Sequence, residues 1–451
     1  MNNEGLCSDR IIEMCLNVNL FDMLDLSKGK INVYLYNESH QDIFNLLHCN
    51  KYLNKLITHK LLKCIYFPTL DILKESPERI KFYETNVCKL YANTMLEDYR
   101  KCAFKNLTHL IFNDSRDLVN LEYIQYEKLQ YLQLGDEFNQ LIKKESLPIN
   151  LTTLIFGRYY DKPIGSDVLP KNLTKLQFGD AFNKLIGKDV LPINLKIIIF
   201  GKYFNQPFGA PLNEIGVLPI NLTELIFGNY YDQPIEKGVL PNNLLKLVFG
   251  DYFDQPIEKG VLPNNLLKLV FGECFDQPIE KGVLPANLLK LTFGERFNQP
   301  IGAPLNEKDV LPINLTKLKF GFKFNQQIGK NVLPISLKEL TFGEDIRQYN
   351  GRDIMPIVTE FNQSDLLPIL KESLLINLTK LRFGYMFNLQ ALLPICTDTL
   401  PINLKTLEFG YNIYDEMNKD ILIDRLTKLI IDGCFDKIID DDKNQRIMIV
   451  R

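Results

Sequence analysis

At 451 residues and 46% hydrophobic content the chain has ample apolar material to bury, while 52 Lys plus Arg against 55 Asp plus Glu leave a formal net charge of −3. A chain this close to neutrality has no overall basic field, which argues against nucleic acid or an anionic membrane surface as its partner. The N-terminus MNNEGLCSDR is charged and polar, no stretch of ~20 residues is apolar throughout, and the nine cysteines show no Cys-x-x-Cys spacing, so the expectation is an intracellular, cytoplasmic protein with free thiols.

Residues 1–104 read as a small helical domain. Ile11, Ile12, Cys15, Leu16, Leu20, Met23 and Leu24 fit a helical stripe, and Ile43, Leu46, Leu47, Leu53 and Leu56 fit one better. The stretch NVYLYNESHQDIFNLLHCNKYLNKLI, covering about residues 31–57, resembles the second half of an F-box. It departs from that pattern at Ser27-Lys28-Gly29-Lys30, where an F-box usually opens with Leu-Pro and an acidic helix start. The resemblance implies a Skp-type adaptor as partner, with Val33, Leu35, Ile43, Leu46, Leu47 and Leu53 as the apolar contacts. The other reading of the same segment is a helical cap shielding the first coil of the array that begins at residue 105.

From 105 to 451 the chain is a repeat. YYDQPIEKGVLPNNLLKLVFG ends at Gly250 and returns with small changes ending at Gly272 and Gly294, a spacing of 22 residues. The pattern Leu-Pro-x-Asn-Leu-x-x-Leu-x-Phe-Gly, continued by an aromatic residue, Asn or Asp, and often Gln-Pro-Ile, extends on both sides. A period this short predicts a solenoid whose coils bury their apolar sides only against their neighbours. Counting Leu-x-Phe-like cores from Leu110 to Leu429 gives fourteen rungs. The three longest intervals come from inserts at Gly209-Ala210-Pro211 and Gly302-Ala303-Pro304, and from residues 344–375, which read either as a loop or as a degenerate rung. Near the end, Ile447-Met448-Ile449-Val450 reads as a last strand, after a polar cap at Asp440-Asp441-Asp442.

Within a rung, Leu154 and Phe156 alternate with Thr153 and Ile155, the period-two signature of a strand with Leu and Phe inward. A buried Leu or Phe is worth roughly 1.5–3 kcal/mol. Against a backbone entropy cost of about 1–2 kcal/mol per residue, a lone coil cannot order itself. The Pro of Leu-Pro, lacking an N–H, belongs before the strand. The Gly after Phe is expected to supply a positive φ. Two polar columns recur: Asn150, Asn172, Asn194, Asn243 and their equivalents, read as an internal amide ladder, and Asp161, Asn183, Asn205, Asp232, Asp254, Asp276 and Asn298, read as turn caps with a metal ladder as the sharper alternative.

The units Phe204-Asn205-Gln206-Pro207 and Phe297-Asn298-Gln299-Pro300-Ile301 resemble the core of the FNIP repeat, and the likeness covers most of 128–435. It implies a leucine-rich-repeat-like solenoid with one parallel strand per rung, of a kind abundant in social amoebae and giant DNA viruses and often joined to an F-box. By that analogy the head recruits a Skp/cullin ubiquitin ligase and the repeats select a target. The alternative is a non-catalytic scaffold whose N-terminal domain is only a cap.

No nucleophile elbow, phosphate loop, dinucleotide fingerprint or His-Glu-x-x-His occurs, so we expect neither enzymatic activity nor a cofactor. His48, Cys49, His59 and Cys64 fit no zinc spacing, and no metal is expected. The outward sheet positions carry a lysine stripe, Lys246, Lys268, Lys290 and Lys317, beside an apolar column, Ile226, Val248 and Val270. A partner with acidic and apolar groups would match that face. The plainer reading is that the lysines keep the sheet soluble and the β-branched side chains stack along it.

Overall fold

The computed structural model describes residues 89–92, 104–112, 121, 124, 126–208, 216–301, 310–324, 326, 328, 332–343, 376–383, 401–409 and 428–431. The chain forms two compact units, Met1–Leu195 and Lys196–Arg451. The described part of the first holds strands β1 Lys89–Ala92, β2 His109–Phe112, β3 Tyr131–Gln133, β4 Thr153–Ile155 and β5 Lys175–Gln177, each parallel to the next. The second holds β6 Ile197–Ile199, β7 Glu224–Ile226, β8 Lys246–Val248, β9 Lys268–Val270, β10 Lys290–Thr292, β11 Lys317–Lys319, β12 Glu339–Phe342, β13 Lys380–Phe383, β14 Thr406–Phe409 and β15 Lys428–Ile431, again parallel in chain order.

The fourteen expected cores are strands β2 to β15. An additional strand, β1, lies inside the stretch expected to be helical: Lys89–Ala92 pairs with β2, so the stack begins before residue 105. The remainder of the helical reading, with the F-box-like segment 31–57, lies outside the described residues. So do 344–375 and 440–450.

Register follows from burial. Leu pairs with Leu on neighbouring strands, as in Leu247↔Leu269 and Leu269↔Leu291, because slipping by one residue would turn the whole apolar set outward. Leu154, Leu247 and Leu269 are fully buried, and Phe156 and Phe249 nearly so. Two aromatic columns interleave behind the strands. Phe249 stacks on Phe253 within its own rung at 3.9 Å and on Phe271 of the next at 5.6 Å, while Phe253 meets Phe275 at 6.0 Å. Offset stacking of this kind adds about 0.5–1.5 kcal/mol per pair beyond area burial.

Proline sits before the strand, as its missing donor requires, and its carbonyl closes the turn that feeds it: the Leu266 N–H donates to Pro263 at 3.1 Å. The glycine after Phe has a different role from the one expected. Among the described residues of this column only Gly343 has a positive φ, 65°. Gly157 and Gly250 are required instead by close approach, since a Cβ on either would lie 1.8 Å from the carbonyl oxygen of the matching glycine one rung earlier. The positive φ falls elsewhere, on the residue before Val-Leu-Pro, as in Gly238 and Gly260.

Candidate protein-interaction face

Both polar columns are spent on holding rungs together. Asparagines of the first column donate their amides to a carbonyl of the preceding rung, as in Asn150 to Glu127 at 2.8 Å, Asn265 to Asn242 at 2.9 Å and Asn287 to Asn264 at 3.0 Å. These asparagines are exposed, so the ladder lies on the surface and is not internal as expected. In the second column, the backbone N–H of one rung donates to the side-chain oxygen of the rung before: Asp254 to Asp232 at 3.0 Å, Asp276 to Asp254 at 2.9 Å and Asn298 to Asp276 at 2.8 Å. The same oxygens accept from Gln255, Gln277 and Gln299. In Asp232, Asp254 and Asp276 one and the same oxygen accepts both bonds, which an Asn amide oxygen can do equally well, and this accounts for the irregular alternation of Asp and Asn. Among the described residues no group of three or more His, Cys, Asp or Glu could hold a metal ion. Of the residues considered as zinc ligands, all lie outside the described set. Among the described residues Cys274 is a free thiol, raised in pKa by burial.

The face of the second unit's sheet is built from three outward columns. Lys246, Lys268, Lys290 and Lys317 stand directly opposite one another on β8 to β11. Like charges in register destabilise a sheet. The ends of the stripe are neutralised: Lys246 meets Glu224 at 3.0 Å and Lys317 meets Glu339 at 2.5 Å. Lys268 and Lys290, both exposed, have no ion-pair partner among the described residues. Ile226, Val248 and Val270 run beside the lysines, half-buried and stacked in register. The structure thus brings the expected lysine and aliphatic residues onto one surface. Farther along, Lys380 and Arg382 share Glu408, at 2.9 and 3.3 Å.

The sequence reading missed a third column, one residue before the lysines. In several rungs it holds Thr, whose hydroxyl donates to the carbonyl of the previous rung, as Thr223 does to Lys196 at 3.0 Å and Thr316 to Leu289 at 2.9 Å. Immediately before β8, β9 and β10 it holds Leu245, Leu267 and Leu289, exposed at 40%, 37% and 36%. Aligning the rungs would have exposed the change from Thr to Leu. These leucines line an open groove of about 710 Å³ together with Asn265, Asn287 and Lys338 among others. The residues expected to contact an adaptor, Val33, Leu35, Ile43, Leu46, Leu47 and Leu53, lie outside the described residues.

Parallel one-strand coils at a 22-residue period define a leucine-rich-repeat-like β-solenoid. The chain carries FNIP repeats, matched at residues 127–159, 138–181, 182–230, 231–274, 275–303 and 306–345. That match ends at 345, short of the 435 expected, although β13 to β15 continue the parallel pairing. Among solved structures the chain is similar to the crystal structure of CroV588, a circular leucine-rich-repeat protein, at 31% identity and a TM-score of 0.61, covering 84% of this chain and 57% of that one. The chain therefore spans little more than half the length of CroV588. YopM from Yersinia enterocolitica WA-314 (16% identity, TM-score 0.33, covering 81% of this chain and 73% of YopM) and the internalin inlF from Listeria monocytogenes str. 4b F2365 (13%, 0.42, 82% and 96%) are more distant. No curated protein matches the chain in sequence. Among the described residues no helix is long and apolar enough to cross a membrane.

Proposed function

We propose that the chain is a non-enzymatic adaptor of the cytoplasm: the sheet face of residues 196–451 holds a target protein, and the F-box-like segment 31–57 recruits a Skp-type adaptor and through it a cullin ubiquitin ligase. The observation that carries the target-binding half is the groove on the sheet, where three exposed leucines, and two lysines without an ion-pair partner among the described residues, stand on a backbone occupied by its own ladder. Such a surface suits recognition of another protein better than chemistry on a small molecule. The ligase half rests on the sequence resemblance at 31–57 alone.

Pull-down by the folded full chain tests both halves. Retention of a purified Skp-type adaptor, lost on replacing Leu46 and Leu47 by Asp, supports the ligase reading. Failure to retain it, with cross-linked protein partners still captured on the sheet face, leaves a plain interaction scaffold whose N-terminal segment is a cap. Failure of both removes the proposal.

A further inference from the structure

We infer that the groove over β8 to β10 seats a single amphipathic α-helix of a partner protein, with acidic side chains alongside an apolar stripe. This rests on the target-binding half of the proposed function and gives that target a shape and a charge.

The leucine column supplies the apolar contact. Its rungs are locked in step, since the Leu267 N–H donates to Leu245 and the Leu289 N–H to Leu267, both at 2.9 Å. Parallel strands stack about 4.8 Å apart and an α-helix rises about 5.4 Å per turn, so a helix laid across the strands places one residue per turn over each leucine, drifting only about 1.2 Å over three rungs. An extended peptide presents same-side residues every ~6.7 Å and is out of step by the third. It would also need backbone partners, and the backbone groups of this column are committed to neighbouring rungs. A helix satisfies its own backbone and needs none.

Charge sets the rest. The groove lining contains Lys338 and no carboxylate. Its border adds Lys268 and Lys290, while the carboxylates on the neighbouring strands, Glu224 and Glu339, are held by Lys246 and Lys317. The same rungs that replace Thr by exposed Leu therefore also leave two lysines uncompensated among the described residues. A helix bearing Glu at i and i+4 beside a Leu stripe relieves both features.

The test uses the full chain and two fluorescent 18-residue peptides of identical composition: one with Leu and Glu in helical register and a proline outside the register, the other with the proline central and the register scrambled. The helical probe should bind at least ~10-fold more tightly, by anisotropy, with affinity falling as salt rises. Leu245→Thr/Leu267→Thr/Leu289→Thr installs the residue of neighbouring rungs and should weaken binding of the helical probe at least ~10-fold without shifting the melting temperature. Lys268→Glu/Lys290→Glu should do the same and favour a Lys-for-Glu version of the probe. Equal binding of the two peptides, or a helical probe indifferent to these variants, overturns the inference. If the probe fails while cross-linked partners are still captured on the sheet face, the helix is wrong and the target-binding reading stands; if capture fails as well, both fall.

Discussion

In residues 1–195 the corner before Leu-Pro is turned by Glu145, Asp167 and Asp189, at φ of 66°, 59° and 64°; across residues 216–282 of the second unit the same position holds Gly216, Gly238, Gly260 and Gly282, at 82° to 91°. An L-residue in the left-handed region costs roughly 1–2 kcal/mol, less for Asp, whose short side chain bonds locally, and glycine avoids the cost. The nearly identical rungs of the second unit therefore have the more relaxed backbone. They also carry the surface anomalies, an in-register lysine stripe and exposed leucines, whereas in the first unit the corresponding outward positions include Thr152 and Thr174, each bonded to the preceding rung at 3.0 and 3.1 Å. A repeat array can thus be strict about its interior while its two units differ outside it, in the residue that turns the corner and in the charges on the surface.

The largest effect should be the same in both units. A methyl group at Gly157 or Gly250 meets a backbone carbonyl that cannot move without shifting a whole rung, so Gly157→Ala and Gly250→Ala should each cost at least about 3 kcal/mol, seen as a fall in urea midpoint. Unequal losses would show that the two units do not share this approach.

The next effect should separate the units. A Cβ at Gly238 meets nothing within 4 Å, so only its φ of 88° opposes a side chain, and Gly238→Ala should cost about 1–2 kcal/mol. In the first unit Asp167→Gly should change stability by less than ~0.5 kcal/mol, because Asp tolerates the left-handed corner. A large gain in Asp167→Gly would mean the acidic corners are strained after all.

Each unit places a buried tyrosine in a column of phenylalanines, and the hydroxyls of Tyr160 and Tyr231 have no hydrogen-bond partner among the described residues. Tyr160→Phe and Tyr231→Phe should therefore stabilise by about 1 kcal/mol each. Burial, and then the neighbouring Asp161 or Asp232, pushes both phenols well above their usual range. Because the folded pKa exceeds the unfolded one, the unfolded chain loses its phenolic protons first, and stability should fall as pH rises above 10, the ordinary value for tyrosine. Thermal melts of the double variant should lose less over that window than the parent.

The smallest effect should test the acidic column. Asp254→Asn keeps the acceptor oxygen used by the Asp276 N–H and by Gln277, so a change under ~0.5 kcal/mol is expected in the urea midpoint. Asp161→Asn should cost slightly more, since it also releases Lys184, whose half-exposed ion pair contributes at most about 1 kcal/mol.

Period and alternation alone determined the coil: a Leu-x-Phe core returning about every 22 residues admits one economical burial, parallel strands in register, and within each unit the described cores from Leu110 to Leu176 and from Ile198 to Leu407 bear it out. Proline's place before the strand was readable for the same reason, since it comes from the chemistry of one residue. Only the tertiary structure decided what each recurring polar or small residue does, because the answer lies one rung away. Gly250 is small on account of the Gly228 carbonyl and not its own φ, Asn265 reaches Asn242 across the surface, and Lys246 is neutralised by Glu224 while Lys268 has no ion-pair partner among the described residues. Those neighbours are 22 or 23 residues distant in the chain but adjacent in the stack, and whether the column of Leu245, Leu267 and Leu289 faces core or water is settled only when the strands are stacked.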